Sequence, residues 1–265
     1  MKEIRRSLPQ YDYLYLGDNA RAPYGVRSFE IVYQFTLEAV KALFEAGCSL
    51  VILACNTASA KALRAIQQND LQRLSATNAK DGKPAKRVLG VIIPTVEAIG
   101  EITKTKHIGL LGTAGTVASH SYSIETSKIY PEATVTETAC PMWVPLVENG
   151  EYKTPGADYF VKKKIDEILA ADPAIDTLVL GCTHYPILID TIRRHTPDHI
   201  KIVAQGDLVA NSLKNYLERH PEIEEKCSRG GKTEFLTTES ADKFEDLASL
   251  FLGHPIEARQ IEIHN

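Results

Sequence analysis

The sequence predicts an α/β protein built from two pseudo-symmetric α/β domains with mostly parallel sheets and an interdomain active site, and three observations lead there. Short apolar runs alternate with longer amphipathic segments, the pattern of strands covered by helices on both faces. Two runs, LVILACNTAS (50–59) and LVLGCTHYPI (178–187), share one design: an apolar strand, a small residue, a cysteine, a polar residue and a helix start. Open α/β sheets place ligands at the carboxyl ends of their strands. Two such ends, each with a cysteine, imply related half-structures facing one another across a cleft.

The elements follow in chain order. In YLGDNARAPYGVRS (15–28) the apolar residues end at Gly17-Asp18, and Pro23-Tyr24-Gly25 makes a turn. An ordinary strand-to-helix loop fits this segment; so does a loop that offers backbone amides and the Tyr24 hydroxyl to a ligand. Over 28–47, Val32, Phe35, Ala39, Val40, Leu43 and Phe44 recur at helical spacing, with Ser28 as N-cap and Gly47 as stop. SLVILA (49–54) reads as a strand buried on both faces. RVLGVII (87–93), HIGLLG (107–112), DTLVLG (176–181) and IKIVA (200–204) read as further strands. Helices are expected at 58–72, 95–104, 116–129, 157–171, 186–195, 207–218 and 240–252, and an exposed polar loop at 75–87. In LLGTAGTVASHSY (110–122), Thr113 and Thr116 lie at a strand end, but the segment is not GxGxxG and is a weak phosphate signature.

Composition excludes several classes. Of 265 residues, 44% are hydrophobic and 24% charged, which is ordinary for a globular protein with a buried core. The net charge of −4 leaves no dense basic face for nucleic acid. The one basic run, Lys162-Lys163-Lys164, reads as a solvated helix face on which Lys163 meets Glu167. No stretch approaches the ~18 apolar residues of a membrane span, and MKEIRRSLPQYDY lacks the apolar core of a signal peptide. The expected location is the cytoplasm.

There are five cysteines: Cys48, Cys55, Cys140, Cys182 and Cys227. An odd count without a secretion signal argues against a disulfide framework. Cys48, Cys140 and Cys227 read as small core hydrophobes. Cys55 and Cys182 differ, because each sits where a strand yields to a helix N-terminus, whose free amides and dipole lower a thiol pKa from ~8.5 toward neutrality. A functional and a structural role remain balanced on this ground alone. Asn56 and Thr57 follow the first cysteine, and Thr183 and His184 the second; each set suits a carboxylate. His184 by itself reads first as a satisfied structural histidine. Cys182 and His184 fall short of the roughly three protein ligands of a catalytic zinc, so no metal is expected. Glu148, in a Pro-flanked loop, reads as a solvated acid.

In combination, GDNARAPYG, ACNTAS, GTAGTV, PLVENG and GCTHYP, in this order, resemble the aspartate/glutamate racemase family, from about Lys2 to the C-terminus. GDxxRxPYG and KTEFLTTESADKFEDLASLFLG resemble its glutamate branch. The resemblance implies a first domain of residues 1–96 and 205–265 and a second of 97–204. It implies racemisation without cofactor, with Cys55 the base toward D-glutamate, Cys182 the base toward L-glutamate, and His184 assisting Cys182. Pro23, Tyr24, Gly25, Asn56, Thr57, Thr183 and His184 would bind glutamate, with Thr113, Thr116 and Glu148 around the site. D-Glutamate would supply peptidoglycan precursors, and a homodimer is common in the family.

Family members begin with a strand ending in Phe-Asp-Ser-Gly; here about twenty residues are missing by comparison, including the Asp and Ser that contact the amino acid. The favoured expectation is a start codon placed too far downstream, because a parallel sheet without one strand leaves backbone groups unpaired. The alternatives are an inactive or amino-acid-binding truncated relative, and a racemase for another acidic amino acid. Thiol redox chemistry is disfavoured, since substrate must fit between the two sulfurs.

Overall fold

The computed structural model describes residues 1–75 and 86–263, so most of the loop expected at 75–87 lies outside the described residues. Nine strands are described: β1 (Tyr13–Gly17), β2 (Leu50–Leu53), β3 (Arg87–Gly90), β4 (His107–Gly112), β5 (Thr134–Ala139), β6 (Thr177–Gly181), β7 (Lys201–Ala204), β8 (Thr233–Thr237) and β9 (Ala258–Gln260). They form sheets of order β5-β4-β6-β7, β1-β8-β9 and β2-β3. All pairings among them are parallel. This is the expected α/β architecture.

The four-stranded sheet explains its own sequence. Side chains alternate between faces along a strand. Leu111, Leu178 and Leu180 therefore join the core under helix Pro155–Ala171, while Ile108, Leu110 and Val179 join the core on the other face, under helices Ile92–Ile102 and Ser121–Ile129. Helix Pro155–Ala171 buries Ala157, Val161, Ile165 and Ile168, one stripe at helical spacing. Thr154 caps it, accepting a hydrogen bond from the Ala157 amide at 3.3 Å. Gly109 permits the close packing, because a Cβ there would stand 2.5 Å from Leu178 Cδ2.

In the other half, helix Phe29–Glu45 buries Val32, Thr36, Val40 and Phe44. Ser28 caps it as expected, and the chain leaves it through Gly47 at φ +95°, a backbone that favours glycine. Its core packs Val40 and Phe44 against Val51, Leu53 and Val88 of the β2-β3 sheet.

Several expectations need correction. The apolar run 87–93 is a strand only to Gly90; from Ile92 it is helical, and Ile92, Val96 and Ile99 pack on the four-stranded sheet. An unbroken apolar run does not distinguish a strand from a buried helix. The helix expected at 58–72 starts at Asn56 and passes through a π turn at Ile66–Asp70. The helix expected at 116–129 is broken by His120, at φ +51°. After Cys182 the chain makes a 3₁₀ turn at Tyr185–Leu188 before helix Ile189–His195. Strands β5, β8 and β9 were not expected: β5 reads TVTETA, an edge strand too polar to announce itself, β8 reads TEFLT, with only two apolar residues, and β9 has three residues. In the lysine run, Lys162 pairs with Asp166 and Lys164 with Glu167, in place of the expected Lys163–Glu167 pair. No helix among the described residues is long and apolar enough to cross a membrane.

Candidate active site

Cys55 follows β2 and is the N-cap of helix Asn56–Lys61. Cys55 is exposed at the surface, yet its sulfur lies deep enough among protein atoms to be partly desolvated. That burial raises its pKa, and hydrogen bonds from the Ala58 and Thr57 amides and the Thr57 hydroxyl offset only part of the rise. Cys182 follows β6 and is buried, 8% exposed. Burial pushes its thiol up to about 12, opposed by the His184 and Thr183 amides and reinforced by charge on Cys55 and Glu148. The two sulfurs thus lie within electrostatic reach of each other, and both are free thiols.

The expectation of thiols lowered toward neutrality is corrected. The helix start after Cys55 and the 3₁₀ turn after Cys182 do present amides to both sulfurs. Desolvation nevertheless outweighs these amides at both positions.

His184 and Glu148 complete the second thiol's surroundings. Cys182 Sγ lies 3.8 Å from His184 Nδ1, and His184 Nε2 lies 3.1 Å from Glu148 Oε1. The carboxylate accepts from Nε2–H and so selects the tautomer whose Nδ1 has a free lone pair facing sulfur. Glu148 is exposed, as its loop suggested, but it is paired with His184 and not free. Phe251, from helix Ala241–Leu252, packs edge-on to the His184 ring at 5.2 Å between centroids.

The halves meet at a cluster of hydroxyls. Thr57 Oγ1 lies 2.9 Å from Thr113 Oγ1 and 3.3 Å from Thr116 Oγ1, and Thr113 and Thr116 lie 3.1 Å apart. Thr57 stands one residue past Asn56 on the Cys55 side, whereas Thr113 and Thr116 stand at the end of β4. Gly25 seals the contact: a Cβ on it would be 2.8 Å from Thr113 Cβ. Gly115 faces it in turn, where a Cβ would be 2.8 Å from the Gly25 carbonyl oxygen and 2.9 Å from Lys61 Nζ. Gly115→Ala sets a helix-propensity gain of up to about 1 kcal/mol against overpacking of about 1–3 kcal/mol. A backbone carbonyl cannot swing aside, so we expect a net loss of stability by thermal denaturation and a fall in activity as the Tyr24 turn is displaced.

Other residues named from sequence are less tightly joined. Thr183 and Pro23 are exposed. The Tyr24 hydroxyl donates to Asp18 instead of standing free. Asp18 also receives Arg21 Nε at 2.8–2.9 Å and the Thr238 hydroxyl at 2.9 Å. Arg21 pairs further with Glu38 and lies over the Phe35 ring. This knot anchors the turn bearing Tyr24 and Gly25.

Sequence reasoning missed a buried network behind Asn56. Asn56 bonds to Gln205 and Tyr122, and Gln205 bonds to Thr95. One signal was available: Gln205 follows the apolar strand IKIVA, at a carboxyl end equivalent to those of Cys55 and Cys182.

Comparison with known proteins accords with this geometry. The family model for Asp/Glu/Hydantoin racemases matches residues 2–213. A glutamate racemase of a Ruegeria species is 37% identical over 262 residues, covering 95% of this chain and 91% of the relative. Among solved structures, a glutamate racemase isoform from Bacillus anthracis superposes with a TM-score of 0.86 at 32% identity, covering 98% of this chain and 91% of that one. The glutamate racemase of Francisella tularensis, solved with D-glutamate, superposes with a TM-score of 0.81 at 26% identity, covering 100% and 91%.

Proposed function

The chain belongs to the Asp/Glu/Hydantoin racemase family, and from that premise we propose that Cys55 and Cys182 are the opposed acid and base of a two-thiol racemase. The reaction is interconversion of L- and D-glutamate, an isomerisation. The observation that carries the two-thiol reading is the pair of free thiols at the ends of β2 and β6, on opposite halves and within electrostatic reach.

One thiolate takes the α-proton from one face of glutamate, and the opposite thiol protonates the other face. Each turnover exchanges which sulfur holds the proton, so the product state of one direction is the starting state of the other. Burial suits this task. A desolvated thiolate is a stronger base toward a weakly acidic C–H, at the cost of a smaller ionised fraction. His184, held by Glu148, assists ionisation of Cys182 through Nδ1. Asn56, Thr57, Thr183 and the Pro23-Tyr24-Gly25 turn hold the substrate's amino and carboxylate groups, with Thr113, Thr116 and Glu148 around them.

The same reading takes residues 97–204 as the second domain, supported by the four-stranded sheet lying within that span, and 1–96 with 205–265 as the first. It extends to supply of D-glutamate for peptidoglycan, a cytoplasmic location and a homodimer, the last tested by sedimentation.

The deciding experiment incubates the reduced chain with each enantiomer of glutamate in deuterated water. Proton NMR follows loss of the α-proton and circular dichroism follows inversion. Exchange with inversion from both enantiomers is expected; no exchange by folded protein overturns the assignment.

The raised thiols also set the pH dependence. A raised pKa means the base form is scarce at neutral pH and accumulates as pH rises. We expect kcat/KM to climb between about pH 6 and pH 9, by roughly tenfold per unit while the thiolate fraction is small. A flat profile across that range would show the basic sulfur ionised already and refute the desolvated-thiol account.

A further inference from the structure

The buried network behind Asn56 has a direction that can be derived bond by bond. Thr95 Oγ1 donates its only proton to the Val91 carbonyl at 2.7 Å. It must therefore accept from its other partner, so the Gln205 group 2.7 Å away is the amide nitrogen. Gln205 Nε2 also donates to the Tyr122 hydroxyl oxygen at 2.5 Å. Both its hydrogens are thereby engaged, and its carbonyl oxygen faces Asn56. Asn56 must then present Nδ2 to Gln205 Oε1, at 2.6 Å, and its own Oδ1 to Tyr122, at 2.6 Å. Tyr122 closes the ring by donating to Oδ1. Burial raises the Tyr122 pKa, so its hydroxyl remains a donor at any working pH.

Three further facts make this ring more than core satisfaction. Thr95, Asn56 and Tyr122 are 0%, 2% and 2% exposed, so no solvent competes for these bonds. Asn56 adjoins Cys55 directly. The ring joins four separate segments: the start of the helix after β2, helix Ile92–Ile102, helix Ser121–Ile129 and the residue after β7. One Nδ2–H of Asn56 is used by Gln205, which leaves the second for a ligand carboxylate beside Cys55.

We propose that Tyr122 and Gln205 are positioning residues, which act through Asn56 by locking its amide with a nitrogen, and never an oxygen, toward the substrate. An inverted amide would set an oxygen against a substrate carboxylate, exchanging attraction for repulsion. The inference rests on the racemase reading and on Asn56 touching substrate.

A double-mutant cycle tests it. Tyr122→Phe removes one hydroxyl and preserves the ring, and Asn56→Ala removes the residue through which it acts. Racemisation kinetics and thermal stability are measured for wild type, both singles and the double variant. Tyr122→Phe is expected to lower kcat/KM about tenfold in the wild-type background and to have no further effect on kcat/KM once Asn56 is alanine. A merely structural hydroxyl gives the same loss in both backgrounds, and that additive result overturns the proposal. If Tyr122→Phe does not fold, Gln205→Met, of similar length, takes its place under the same criterion. A folded wild type without turnover overturns the racemase reading and this inference with it, whereas an active wild type with additive losses overturns this inference alone.

Discussion

Cys182→Ala is expected to abolish inversion of glutamate, with a fall in kcat of roughly 10³-fold or more. The change removes a side chain that is 8% exposed and lies at the end of a strand whose five residues are all buried, so the fold should survive the loss of one sulfur. The residual chemistry is the informative part. Cys55 still faces the other side of the substrate, so slow exchange of the α-proton of D-glutamate with solvent deuterium, with retention, should persist. Cys55→Ala is expected to give the mirror result, with residual exchange confined to L-glutamate. Proton NMR with each enantiomer separates the cases. Residual inversion in either variant would show that some other group acts from the vacated face.

Trp143→Ala is expected to have the largest effect on stability, about 3–5 kcal/mol. Trp143 is 0% exposed, and its indole nitrogen donates to the Phe160 carbonyl at 3.3 Å. Its ring meets Tyr185 edge-on at 4.8 Å between centroids, and Tyr185 in turn donates to the Cys140 carbonyl at 3.2 Å. Truncation opens a cavity beneath the turn that carries Cys182, Thr183 and His184. Activity should therefore fall in the protein that still folds. Chemical denaturation measures the first effect, and turnover at a temperature well below the midpoint measures the second. A loss below about 1 kcal/mol would mean that neighbouring side chains collapse into the space.

Much of the architecture was legible from the chain. Helix Phe29–Glu45 could be read from cap to stop because Ser28, the apolar spacing and Gly47 are local signals. Strands β4 and β6 are buried apolar runs, and burial is what such runs report; β7, at the sheet edge, was legible from its apolar residues although only Val203 is buried. β5 escaped because an edge strand is only half covered and alternates polar residues. The 87–93 run misled because it is apolar both in its strand and in the buried helix that follows.

The sequence by itself determined that two cysteines lie at equivalent strand ends with polar neighbours, and its motifs named the family. These are properties of order and spacing along the chain. Only the tertiary structure decided what those thiols are like. Burial raises both, against the lowering expected from helix starts, because desolvation depends on every atom packed around a sulfur and not on its neighbours in sequence. It also decided that Glu148 belongs to His184, 36 positions away, and that Gln205 belongs to Asn56, 149 positions away. Hydrogen-bond partners of buried polar groups are chosen by packing across segments, and no local pattern encodes them.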